Sequence, residues 1–532
     1  MKLIVLGIHK NPWHNTGAAM IKSVDGGKVE FAFISEERLD RIKDSRSFPI
    51  LSIKSCMEKL GVENSIDIDL VVMDYIENKD WRRDNKQGDM EVHEFMTEIP
   101  DEKIITINHH LAHAYSVFYS SGFSESAILV VDGRGSQKET QSLYNADSYG
   151  NIHLIEKTEN IGIGLLYSSV TQMIGFKLLQ EGKTMGLAPY GVDKKILNLK
   201  QDYNGISTNY SHMLETGKYT FVNQSSLDLS KFQEKANVAF EVQQECESAM
   251  LHLARHAKVK TKSTKLCITG GVALNSVANY KVLQSGVFDD IFINPACSDS
   301  GIPLGCVLYG FHHHFNHPRD YSLISPFIGN SYSDRDRLSA INAYSGYSVI
   351  EDVSFEYTVS LLSENKIVAC HQGASEMGPR ALGNRSILMS PIFAENKNIL
   401  NLRVKHREDF RPFAPACLEE YAQEYFEIDR PSPFMLFVPN VKAEKKHLLP
   451  AVTHVDSTGR LQTLTSTRNQ HFYKIVQQFY KKTGVPVLLN TSFNVAGEPI
   501  VETPENAIEC FLGTDIDALI LGKFLLIKKV PK

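Results

Sequence analysis

The stretch "KLCITGGVALNSVANY", residues 265–280, decides the fold class. A β-rich apolar run breaks at Gly270 and Gly271 and gives way to a segment with helical spacing. Strand, glycine turn and helix in that order are the grammar of α/β proteins. The pattern repeats outward from there. "KLIVLGI" (2–8), "KVEFAFI" (28–34), "DLVVMDY" (69–75), "KIITI" (103–107), "SAILVVDG" (126–133) and "DIFINP" (290–295) read as strands between polar or Gly-marked turns. Residues 324–347 lose core periodicity and gather Ser, Asn, Asp and Gly, which predicts a domain boundary near 335. A second α/β unit, 336–532, follows with strands "KIVACH" (366–371), "VPVLLN" (485–490) and a closing "DALILGKFLLIKK".

The totals restrict the function classes. At 532 residues the chain exceeds what one core serves, so more than one domain is expected. With 56 Lys+Arg against 62 Asp+Glu there is no global basic field for nucleic acid, and any anion site must be local. The apolar run at the N-terminus is too short for a signal peptide, and no stretch approaches the roughly 20 apolar residues of a membrane span. These features predict a cytoplasmic protein without a membrane span. Eight cysteines are scattered without a C-x-x-C pair, as expected of small buried side chains in a reducing compartment.

Several motifs carry chemistry. In "TINHHLAHAYSVFY" (106–119) a helix would place His109 and His113 at i and i+4 on one face, a spacing that can hold one ion. The zinc-protease pattern needs a glutamate after the first histidine, where this chain has His110. "ILVVDGRGS" carries Asp132 to a strand tip, and "NPACSDSGIPLG" presents Asp299 in a Gly/Ser loop opening a helix. Together these are two histidines and two carboxylates, a donor set suited to iron, manganese or zinc. Gly270 and Gly271 open a helix whose amides suit an anion. "GFKLLQEGKTMGLAPYG" has the wrong glycine spacing for a P-loop, although Lys183 can approach a phosphate. From 371 to 411, seven Lys/Arg (380, 385, 397, 403, 405, 407, 411) sit among Gly, Pro and Phe, the makings of a polyphosphate pocket. "LLNTSFNVAGEP" ends a buried strand in Asn490, Thr491 and Ser492, small donors suited to phosphate or ribose. "FHHHFNHP" (311–318) has no carboxylate or cysteine nearby and reads as surface histidine.

"NHHLAH", "VVDGRGS", "EGKTMGLAPYG", "TGGVALN", "SDSGIPLG", "MGPRALGNRSIL", "KHREDFRPFAP" and "NTSFNVAGEPIVETPENA", in this order, resemble the O-carbamoyltransferases of the nodulation-factor, cephem and tobramycin type. The match spans nearly the whole chain except about 192–240. It implies an N-terminal duplicated domain of the ASKHA (actin/sugar-kinase) class over 1–335 and a C-terminal YrdC-like domain over 336–532. It also implies two steps: carbamoyl phosphate and ATP, with Mg²⁺, yield carbamoyl-adenylate, and the carbamoyl group then passes to a hydroxyl of a sugar-containing acceptor. By resemblance, His109, His113, Asp132 and Asp299 would hold Fe²⁺ or another divalent transition metal. Arg380, Lys405, Arg411, Arg460, Asn490 and Ser492 would contact nucleotide and carbamoyl phosphate, and His14 of "NPWHNTGAA" would lie on the acceptor side as a base. Two alternatives stand beside this reading: a tRNA threonylcarbamoyl transferase, which should show a basic face, and a non-catalytic metal- or nucleotide-binding protein.

Overall fold

The computed structural model describes residues 2–11, 14–24, 28–75, 95–214, 228–319 and 324–529. Of the unmatched 192–240 segment, 215–227 lies outside the described residues. The chain forms two compact units, one of 1–40 with 44–324 and the other of 41–43 with 325–532. The division falls ahead of 335 because 326–330 pairs with the second unit: Gly329 N–H donates to the Ser375 carbonyl and Met377 N–H to that of Pro326.

The first unit contains one sheet topology twice. Strands β1 (Leu3–Lys10), β2 (Gly17–Val24), β3 (Lys28–Ser35), β4 (Leu70–Tyr75) and β5 (Ile104–Thr106) lie in the order β3-β2-β1-β4-β5. Next come β6 (Ser126–Val131), β7 (Gln141–Ala146) and β8 (Ile152–Thr158), a short β9–β10 ribbon (Tyr203–Asn204 with Ser207–Thr208), then β11 (Lys265–Thr269) and β12 (Asp290–Phe292). The second sheet runs β8-β7-β6-β11-β12. In each sheet the first three strands are antiparallel and the last two join the first in parallel. This duplication is the ASKHA architecture. Six fully buried residues, "SAILVV", make β6 a central strand with no solvent face. The His109–Ser120 helix packs on β6 and β11, and the Ile302–Leu308 helix packs on β1 and β4 and against the His109–Ser120 helix. Gly7 permits this closeness, since a Cβ there would lie 2.2 Å from the Pro303 carbonyl oxygen.

The second unit is built on one mixed sheet of eight strands, β13 (Tyr347–Glu351), β14 (Val368–His371), β15 (Arg385–Met389), β16 (Ala414–Leu418), β17 (Gln462–Leu464), β18 (Val487–Ser492), β19 (Ala518–Leu521) and β20 (Phe524–Lys528). Its Gln470–Thr483 helix buries Phe472, Ile475, Val476 and Phe479 on one face, starts at an Asn469 side-chain cap and stops at left-handed Gly484. All eight cysteines are free and buried. Among the described residues no helix is long and apolar enough to cross a membrane.

Candidate metal centre and anion pocket

The carboxyl ends of the central strands of the first unit deliver one cluster. Asn108 caps the His109–Ser120 helix by accepting the Leu111 N–H, which places His109 and His113 on its first turns. Asp132 directly follows β6, and Asp299 precedes the Ile302–Leu308 helix. His109, His113, Asp132 and Asp299 are all buried, and each has a donor atom within 4.8 Å of the others'. His109 Nε2 and His113 Nε2 lie 3.2 and 3.1 Å from Asp132 Oδ2, and 3.5 and 3.6 Å from Asp299 Oδ1. Ligands bound at 2.0–2.2 Å to one ion at angles near 90–110° stand roughly 3.0–3.4 Å apart, so the donor set fits a divalent transition metal. His110 lies outside the set, with its Nδ1 2.7 Å from Ser142 Oγ.

The charge balance supports that fit. Asp74 joins Asp132 and Asp299 here, and the charged partners of all three carboxylates are histidines. Burial alone would push these carboxyls up, yet His109 and His113 beside them hold Asp132 and Asp299 below the usual carboxylate range. Asp74 sits at about 2 despite its burial, because of His109 first and then His9. Burial pulls the imidazoles down, but Asp74 and Asp299 raise His109, while Asp132 and Asp299 raise His113. Three buried carboxylates thus gather around imidazoles whose protons a dication can replace.

The other expected residues of this unit fall at different distances. His14 is near the cluster, its Nδ1 3.8 Å from Asp299 Oδ2. Gly270 and Gly271 serve Asp132: the Gly271 N–H donates to Asp132 Oδ1 at 3.1 Å, and Gly270, at φ +93, lets the turn approach the Val131 backbone. That amide, expected to meet a phosphate, orients a candidate ligand. Lys183 lies on the Glu181–Leu187 helix with its ammonium 5.5 Å from the Phe176 ring centre. Of the 311–318 histidines, His313 and His314 are exposed, whereas His312 stacks on Tyr119 and burial pushes it down to about 4.

In the second unit the seven cations of 371–411 divide. Arg385 is fully buried and donates to the carbonyls of Gln372, Asn384, Asn330 and Glu502, while Arg403 donates to Asp515 and Asp517. Both brace the fold. Arg380, Arg407, Arg411 and Arg460 instead crowd one another. Burial and then Arg380, Arg407 and Arg411 hold Arg460 well below its ordinary value, and burial with Arg411 pushes Arg407 down to about 9. Glu408 offsets part of this, 3.7 Å from Arg411. Arg460 Nε is buried with no hydrogen-bond partner. Such a cluster calls for a polyanion. Lys405 is engaged inside the protein, donating to Ser492 O, to Asn494 O at 2.9 Å and to Asn494 Oδ1 at 2.8 Å. It fixes the end of β18, where the Ser492 hydroxyl donates to Asn494 Oδ1 at 2.7 Å and Asn494 Nδ2 donates to the Glu498 carbonyl at 2.7 Å. Asn490 donates to Ala381 O at 3.1 Å and to Gln462 Oε1 at 2.8 Å.

The sequence reading missed His9, Asn11 and Asp74 and left Arg407 out of the site. A signal existed: His9 and Asp74 are polar residues at the ends of the otherwise apolar strands "LIVLGIHK" and "LVVMDY".

Residues 75–308 match the family model described as carbamoyltransferase N-terminus, and 359–528 that described as carbamoyltransferase C-terminus. Nodulation protein NolNO of Sinorhizobium fredii is 36% identical, covering 98% of this chain and 80% of its own length. Nodulation protein NolO of Bradyrhizobium diazoefficiens is 37% identical over 80% of this chain and 79% of its own. Among solved structures, full-length HypF in its phosphate- and nucleotide-bound form aligns over 57% of this chain and 55% of its own at 16% identity, with a TM-score of 0.33, too distant to add to the topology. Both halves of the family model, together with relatives matched over most of their own length, show that this chain belongs to the carbamoyltransferase family and is a carbamoyltransferase.

Proposed function

We propose that the chain is an ATP-dependent O-carbamoyltransferase that runs two half-reactions, one in each unit. The second unit, read as YrdC-like, takes carbamoyl phosphate and ATP. Carbamoyl phosphate loses phosphate to water, a carbamate oxygen attacks the α-phosphorus of ATP, and pyrophosphate leaves to give carbamoyl-adenylate. Both substrates are polyanions, so Arg380, Arg407, Arg411 and Arg460, with Mg²⁺, would offset their repulsion. Lys405 holds Ser492 and Asn494 in place where the chain leaves β18.

In the first unit an acceptor hydroxyl attacks the carbamoyl carbon and AMP departs. His109, His113, Asp132 and Asp299 would hold Fe²⁺ or a related divalent ion, which supplies Lewis-acid polarisation of a bound carbonyl or phosphate. His14 takes the acceptor proton at Nε2 while its Nδ1 faces Asp299 Oδ2, 3.8 Å away. The observation that carries this reading is the convergence of two imidazoles and two carboxylates with His14 beside them. A sugar-containing hydroxyl compound is the acceptor class, and the net charge of −6 disfavours a tRNA.

The test is substrate dependence. Pyrophosphate release should require both ATP and carbamoyl phosphate, and AMP release should require a hydroxylated acceptor that gains the mass of one carbamoyl group. ATP turnover indifferent to carbamoyl phosphate would overturn the proposal.

A further inference from the structure

Two strands place a second layer of residues behind the four candidate ligands. His9 on β1 and Asp74 on β4 are lateral partners in the parallel pairing of those strands, so their side chains leave the same face of the sheet. Both are fully buried. Asp74 Oδ2 lies 3.0 Å from His9 Nδ1 and 2.6 Å from His109 Nδ1. An ionised carboxylate only accepts, so each imidazole carries its proton on Nδ1. Once a cation displaces the Nε2 proton, His109 turns that lone pair to the point between Asp132 Oδ2 and Asp299 Oδ1.

His9, Asp74 and His109 are close enough to suggest a second ion of their own. The 2.6 Å between Asp74 Oδ2 and His109 Nδ1 excludes it. Two donors on one transition-metal ion stand roughly 3.0–3.4 Å apart, and 2.6 Å is a charge-assisted hydrogen bond. The strand end also supports the other carboxylate: Asn11 Nδ2 donates to Asp299 Oδ2 at 2.9 Å, which leaves Oδ1 facing the imidazoles. His9 Nε2 is buried without a hydrogen-bond partner, 3.8 Å from the same Asp299 Oδ2.

We infer that Asp74 is the positioning carboxylate of the metal centre, fixing His109 with its Nε2 unprotonated toward the ion and tying His9 into the same frame. This rests on the proposed ligand role of His109, His113, Asp132 and Asp299. Carboxylates that hold a metal-bound imidazole from behind typically contribute 10- to 100-fold in metal affinity. Asp74→Asn keeps the shape and one acceptor oxygen but removes the charge.

The experiment measures the dissociation constant of Co²⁺ by chelator competition, and the visible spectrum of the Co²⁺ protein, for wild type, Asp74→Asn, Asp74→Ala and His113→Ala. Asp74→Asn should weaken Co²⁺ about 10- to 100-fold and shift the ligand-field bands, with Asp74→Ala weaker still. In the wild-type Zn²⁺ protein, long-range ¹H–¹⁵N correlations should find the His109 proton on Nδ1, a readout that needs no variant to fold. Wild-type affinity and spectrum in Asp74→Asn, or a His109 without a proton on Nδ1, would overturn the inference. If His113→Ala loses Co²⁺ while Asp74→Asn keeps it, only the role of Asp74 fails. Wild-type affinity in His113→Ala would remove the metal centre itself.

Discussion

A Cβ on Gly305 would lie 1.9 Å from the carbonyl oxygen of Ala112. The Ile302–Leu308 and His109–Ser120 helices therefore touch backbone to backbone, and Ala112 lies between the two ligand histidines. This contact sets the distance from Asp299, just ahead of one helix, to His109 and His113 on the other. Gly305→Ala should force the helices apart, cost about 1–3 kcal/mol as overpacking, and lower bound metal well below one per chain. Denaturant unfolding and metal analysis of the purified variant check both parts. Full metal content would show that the helix crossing does not set the ligand spacing.

Arg460 offers a test in which stability and function move in opposite directions. Its guanidinium is buried among Arg380, Arg407 and Arg411, so replacing it with an apolar residue of similar length relieves repulsion in the ligand-free protein. Arg460→Met should stabilise the second unit by about 1–2 kcal/mol, at the low end of what replacing buried charges yields. It should also suppress pyrophosphate release by a few orders of magnitude, as expected for a phosphate-clamping arginine. A destabilised variant, or one releasing pyrophosphate at the wild-type rate, would contradict this.

Where the sequence was legible, the cause was burial. Apolar runs such as "SAILVV" of β6 and "KLCIT" of β11 read as strands, and the pairing sets both inside their sheet. "GAAMIKSV" of β2 and "QSLYNA" of β7 carry weaker strand propensity and went unread, which hid the duplication that the pairing reveals. His109 and His113 were legible as a pair because helical spacing is local, whereas their meeting with Asp132 and Asp299 spans the unit. β1 is buried on both faces, so no alternation marked the direction of His9. Lys405 and Gly271 were recognised as polar groups in special places, but their partners, Ser492 and Asn494 for one and Asp132 for the other, lie far along the chain.

Metal binding should depend on pH with a definite sign. Without metal, burial pulls His109 and His113 down, but the surrounding carboxylates raise both above the ordinary imidazole value, His109 well above it. Each imidazole therefore holds its second proton more firmly than a free one does, and a cation must displace it. Affinity rises with pH up to the raised values and is lost as pH falls, by about tenfold per pH unit for each proton displaced. Calorimetry in buffers of different ionisation enthalpy should detect proton release near pH 7. Binding without proton release would mean that these imidazoles are not the ligands.

The division of labour between the two units is tested most directly by one partial reaction of His113→Ala. The variant, given ATP and radiolabelled carbamoyl phosphate with an acceptor that the wild type carbamoylates, is followed for pyrophosphate and for labelled product. Pyrophosphate should appear at close to the wild-type rate and carbamoyl-adenylate should accumulate, while labelled acceptor falls by at least about 10²-fold, the usual worth of a lost catalytic group. Normal product formation, or loss of pyrophosphate release together with product, would contradict an activation site in the second unit that works independently of the histidine and aspartate cluster in the first.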